Sequence, residues 1–211
     1  MPRITKDPQI RRSELINAAE ELIFIHGYDQ TAVSDIVKKV GVAQGTFYHY
    51  FKSKDDVINA IIDRTIIEIK DGVENVASKK DQNAIEKILE FFSFFNNLGQ
   101  NWKKFVDYFH EERNAHLHLK FEQRVPAIIL PSLNQIIRQG VDEGLFNTKY
   151  PLVAAVSFLL TISSINHKIY GLKNNIGGTN EMTDIIFDFT ERLLGAKPGI
   201  FKEYALKMEG K

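Results

Sequence analysis

Residues 31–54 read TAVSDIVKKVGVAQGTFYHYFKSK, and their spacing decides the fold. Thr31 opens a short helix whose inward side is Ile36, Val37 and Val40. Asp35 puts a carboxylate in its first turn, where the helix dipole favours one. Gly41 ends it, because glycine takes a positive φ at little cost, and Val42 can anchor the turn to a core. A second short helix follows at about 44–50. Phe47 and Phe51, four apart, face inward, while Tyr48 and His49 point the other way. Two short helices joined by a tight glycine turn make a helix-turn-helix over about 32–51, whose second helix can enter a DNA major groove.

Gln44, Gly45 and Thr46 lie at the exposed start of that second helix. Gln44 can bond an adenine edge through two atoms, and Thr46 can touch a thymine methyl. Gly45 has no side chain to hold the backbone away from DNA. Tyr48, His49 and Lys54 suit phosphates, which position a protein without reading sequence; for His49 a solvated surface place is the other reading.

Outward from this segment, helical period continues. Leu15, Ala18, Ala19, Leu22 and Ile23 form one stripe that stops at Gly27. Ser53 caps a fourth helix carrying Val57, Ile58, Ile61, Ile62, Ile66 and Ile69, running to about Val76. Further helices are expected at about 83–98, 101–118, 121–143, 150–172 and 181–195, with no strand alternation. The run Leu98-Gly99-Gln100-Asn101 marks a break, Pro126 and Pro131 predict a kink or a split, and 174–180 is the clearest loop. The expected fold is all-α. Residues 1–54 form a three-helix DNA-binding domain, and 55–211 a helical ligand-binding and dimerisation domain.

The 211 residues are 44% hydrophobic, enough for a real core. The absence of cysteine excludes disulfides and thiolate metal sites, which suits a reducing cytoplasm. Arg3, Lys6, Arg11 and Arg12 come early with no apolar run behind them, so no signal peptide is read. The greasiest stretch, 152–165, is broken by Ser157, Thr161, Ser163 and Ser164, and is shorter than the ~20 apolar residues of a membrane span. A cytoplasmic protein without membrane contact is expected. Net charge is zero, but residues 1–54 hold eight Lys/Arg against six Asp/Glu. Lys6, Arg11 and Arg12 either brush a phosphate backbone or simply solvate a helix start.

The segment closely resembles the DNA-binding region of the tetracycline-repressor (TetR) family. The hallmarks stand as Gly27-Tyr28, Thr31, Ile36, Gly41-Val42, Gly45-Thr46-Phe47-Tyr48, Phe51 and Lys54, within a match over roughly residues 10–65. The resemblance implies a homodimeric repressor of a palindromic operator. A small molecule in the C-terminal domain changes the spacing of the two DNA-binding heads and releases the DNA. By position, it implies DNA contacts at Thr31 and Val33, then Ala43, Gln44, Gly45, Thr46, Tyr48 and His49, then Lys54. Val33 stands where a polar residue is common.

The stretch from Leu152 to Ile165 is apolar on more than one face, and the last helix adds Met182, Ile185, Ile186, Phe189, Leu193 and Leu194. The resemblance implies a four-helix dimer interface from Leu152, Val156, Leu159 and Leu160 with Ile185, Phe189 and Leu193. A monomer would expose that patch, unless both helices are buried in its own core. The middle is aromatic, and Phe91, Phe95, Trp102, Phe105, Tyr108 and Phe109 could line a pocket for a small apolar or aromatic effector, or pack as core. His110, Glu112, His116 and His118 form no closed ligand set, so neither metal nor cofactor is expected. Without a metal-hydrolase motif, nucleophile elbow or phosphate loop, the chain is not read as an enzyme.

Overall fold

The computed structural model describes residues 7–109, 115–168 and 179–209, and their side chains except at 99–109, 115–122, 163–168, 179–180 and 209. Among the described residues every regular element is helical: α1 (Pro8–His26), α2 (Val33–Val40), α3 (Gln44–Tyr50), α4 (Lys54–Ser78), α5 (Ala84–Phe109), α6 (Ala115–Asp142), α7 (Pro151–Lys168), α8 (Thr179–Leu194) and α9 (Ile200–Glu209). None is long and apolar enough to cross a membrane.

The helices fall into two compact units. The first takes in the described residues up to Glu68 and those from Leu98 to Glu122. Its buried side chains come from each N-terminal helix in turn: Leu15, Ala19 and Ile23 on α1, Ile36 and Val37 on α2, Phe47 on α3, and Val57, Ile58, Ile61 and Ile62 on α4. Asp7 caps α1, its carboxylate accepting the Gln9 N–H at 2.7 Å, with Pro8 in the first turn where a missing N–H costs nothing. The α2–α3 turn is a Schellman closure. Gly41 adopts φ 73°, its N–H donates to the Lys38 carbonyl at 3.2 Å, and the Val42 N–H donates to the Val37 carbonyl at 3.0 Å. Ser53 caps α4, accepting the Asp56 N–H at 3.2 Å, while the Asp56 carboxylate accepts the Lys52 N–H at 2.9 Å. Arg64 on α4 reaches back to α1, donating to the Asn17 side-chain oxygen and the Glu20 carboxylate at 2.5 Å each.

The second unit holds the described residues from Ile69 to Asn97 and from Gln123 onward. Here Lys87 is buried and donates to the Ala77 carbonyl at 2.8 Å and the Gln139 side-chain oxygen at 2.7 Å, tying the end of α4 to α5 and α6. Burial pushes the Lys87 pKa down, and the two acceptors hold its charge in place. Phe158 on α7 is fully buried against Phe91 and Phe92, with ring centres 6.0 Å and 5.4 Å apart.

Three expectations are corrected. α5 runs through 98–101 without the break read there, since one helical glycine costs only about 1 kcal/mol. α6 contains both Pro126 and Pro131 and is not split. Finally, α9 has no counterpart in the sequence reading, whose last helix ends at about 195. Its first turn is held from another element. The buried Glu191 of α8 accepts the Gly199 N–H at 2.8 Å and the Phe201 N–H at 3.1 Å. Phe201 is fully buried, its ring stacked 6.4 Å from that of Phe146 and tilted against that of Phe187 at 6.0 Å. Of the loop read at 174–180, residues 174–178 lie outside the described residues, as does the end of the helix read to 172.

Candidate nucleic-acid interface

The first unit holds α3 rigidly from behind and leaves its front open. Phe47 is buried, and its ring lies 5.5 Å from that of Phe51, which is also buried and ends the helix. Ala43, exposed and extended, precedes the first turn, and its carbonyl accepts the Thr46 N–H at 2.9 Å. Gln44 and Gly45 are exposed, and Thr46 is half-buried. A methyl group placed on Gly45 would meet nothing within 4 Å, so this side of α3 faces open space. Tyr48 and His49 are exposed as well. The structure thus gathers Gln44, Gly45, Tyr48 and His49 on the free side of one seven-residue helix, with Ala43 just before it and Thr46 at its margin. Val33, half-buried, begins α2 after Ala32, whose N–H is held by the Asp35 carboxylate at 2.9 Å.

Thr31 and Lys54 do not face outward. Thr31 is 1% exposed; its hydroxyl donates to the Gly27 carbonyl at 2.8 Å and its N–H to the Tyr28 carbonyl at 3.2 Å. Lys54 donates to the carbonyls of Tyr28 at 2.6 Å and Thr31 at 2.9 Å, with its ammonium 3.8 Å from the centre of the Tyr28 ring. The Tyr28 hydroxyl donates to the Asp55 carboxylate. Burial lowers the Lys54 pKa, against the opposing pull of Asp29 and Asp55. Burial also raises that of Tyr28, helped by the bond to Asp55 and its charge. This knot joins the α1–α2 loop to the start of α4. Nothing in the local sequence points Lys54 at two carbonyls more than twenty residues upstream; the presence of both Tyr28 and Lys54 among the hallmarks is the one available signal.

In the second unit, Leu152, Val156, Leu160 and Ile185 are exposed, and Leu159, Phe189 and Leu193 are half-buried. They lie on α7 and α8, which pack on each other. Phe91 is buried and Phe95 half-buried, with rings 4.7 Å apart. Trp102, Phe105, Tyr108, Phe109, His116 and His118 have side chains outside the described set, and His110 and Glu112 lie outside the described residues altogether. No group of three metal-ligating side chains occurs among the described residues.

Residues 15–61 match the pattern of bacterial regulatory proteins of the tetR family. The chain is 28% identical over 142 residues to a fatty acid metabolism regulator protein of Bacillus subtilis, covering 66% of this chain and 72% of that one. Its fold is similar to that of SmeT, the repressor of the Stenotrophomonas maltophilia multidrug efflux pump SmeDEF, with a TM-score of 0.65, 19% identity and coverage of 90% and 92%. It is similar also to the fatty acid degradation regulator FadR of Bacillus halodurans, with a TM-score of 0.63, 23% identity and coverage of 90% and 97%.

Proposed function

We propose, from the chain's membership of the tetR family of bacterial regulatory proteins, that this DNA-binding transcription regulator is a homodimeric repressor of a palindromic operator, released by a small apolar effector. One observation carries the reading. The start of α3 is bare on its outer side, with Gln44, Gly45, Tyr48 and His49 exposed, while Phe47 and Phe51 root the helix in a core. A major groove about 12 Å wide accepts a helix presented in this way. Gln44 is the base-reading residue, and Tyr48 and His49 lie against the sugar-phosphate walls.

The exposed apolar residues of α7 and α8 support a second copy as partner, because two symmetric heads suit two half-sites on one face of the duplex. In this reading residues 1–54 are the DNA-binding head and 55–211 the regulatory, dimer-forming part. The packed rings of Phe91, Phe95 and Phe158 supply the kind of apolar surroundings an effector would enter. The relative named for fatty acid metabolism is in keeping with an apolar effector.

Selection of genomic fragments by the purified protein at near-physiological salt tests the reading. Recovery of one palindromic site is expected. Recovery of none, both before and after unfolding and refolding to strip bound ligand, overturns it. On the recovered site, Gln44→Ala should relax preference at one base pair by about 1–3 kcal/mol. Unchanged preference at every position removes Gln44 as the reader.

A further inference from the structure

Among the cations around the helix-turn-helix, which include the exposed Lys52 just after α3, the structure gives Lys54, Arg11 and Arg12 different partners. Lys54 is spent on two carbonyls and a ring inside the first unit. Arg11 is paired with Glu14 at 2.6 Å. Arg12 is exposed and pairs with no carboxylate among the described residues. Its guanidinium carbon instead stands 5.2 Å from the centre of the Phe51 ring, at the residue that ends α3. A guanidinium within about 6 Å of a ring centre is attracted to the ring, and the exposed Arg12 keeps N–H donors free for a phosphate, which arginine can take with two parallel bonds. α3 has seven residues and is about 10 Å long, less than the groove's width of about 12 Å. A cation at its end therefore comes within reach of a phosphate strand.

We infer that Arg12 contacts the DNA phosphate backbone at the C-terminal end of the recognition helix, and that Lys54 is a positioning residue which holds the α1–α2 loop. This deepens the operator-binding reading and rests on it. Phosphate contacts release counterions, so each one steepens the fall of log K with log salt by about 0.9. A loop lock leaves that slope alone.

The test is a salt titration of full-length protein on the recovered operator, followed by fluorescence anisotropy from about 50 to 200 mM salt. Arg12→Gln should flatten the slope by about 0.9 per protomer, weaken binding alike on all sequences, and leave the melting temperature unchanged. Lys54→Met should lower the melting temperature and keep the wild-type slope. If that variant is too unstable to assay, Lys54→Gln, which retains N–H donors, takes its place with the same expected slope. Arg11→Gln should keep the slope. An unchanged slope in the Arg12 variant overturns the inference. So does an equal flattening in the Lys54 or Arg11 variant, which would mean a phosphate-bound lysine or a general charge effect. Failure of the wild-type protein to bind any operator overturns the underlying reading instead, so the two failures are distinct.

Discussion

Gly45 sits second in α3, with open space where a Cβ would stand. Alanine is better than glycine in a helix by roughly 0.5–1 kcal/mol, so Gly45→Ala should melt at or above the wild-type temperature. The same methyl would stand between the backbone and a groove, so operator affinity should fall. Loss of stability along with affinity would instead give Gly45 a folding role. Tyr28 makes a second prediction at this scale. Burial and Asp55 raise its pKa in the folded protein above the ordinary value of about 10. The folded state then keeps a proton that the unfolded chain gives up, so Tyr28's contribution is intact below about pH 10 and is lost as pH rises beyond it. Lys54 works the other way: its lowered pKa penalises the charged form in the folded state, and that penalty lifts as pH rises. Between pH 10 and 11 the melting temperature of the wild type should fall more steeply than that of Tyr28→Phe. Parallel curves would count against a buried phenol bound to Asp55.

At the scale of elements, α9 is the instructive case. It has ten residues, too few for a helix to hold in water by propensity, so packing must hold it. Its free N–H groups are met by Glu191 of α8, and its Phe201 fills the space beside Phe146 and Phe187. Glu191→Ala leaves two N–H groups without their acceptor, a loss of about 1–3 kcal/mol for a buried one. Amide exchange over 200–209 should accelerate while that of α1 to α3 stays as it was. Wild-type protection of those amides in the variant would show that Phe201 alone holds the helix. The α2–α3 turn is the opposite case, since its glycine, its two closing hydrogen bonds and its flanking apolar residues all come from one short segment.

At the scale of the whole molecule, α7 and α8 expose an apolar face with Leu152, Val156, Leu160 and Ile185. Leu160 is 64% exposed, so Leu160→Glu breaks no packing within the protomer. In the dimeric reading it puts a charge into an interface. Sedimentation should then report a monomer with an unchanged melting profile. Operator affinity should fall by about 10²–10⁴, the factor by which joining two binding heads exceeds either alone. A dimer that survives the substitution places the interface elsewhere.

The sequence by itself determined the helix-turn-helix, because its signals are local: apolar period, one glycine turn, a serine cap and two phenylalanines four apart. It also determined the all-helical class and the exposed places of Gln44, Gly45, Tyr48 and His49, which follow from which side Phe47 and Phe51 take. Only the tertiary structure decided where Thr31 and Lys54 point, since their partners are carbonyls of the α1–α2 loop and, for Lys54, lie more than twenty residues away. It alone separated Arg12 from Arg11, which are neighbours in the chain but have a ring and a carboxylate as partners. It alone showed α9, whose cap is supplied by another helix, and the continuity of α5 and α6 through glycine and proline. Local propensity is a matter of about 1 kcal/mol per residue for glycine and about 3 for proline, and packing along a long helix outweighs it.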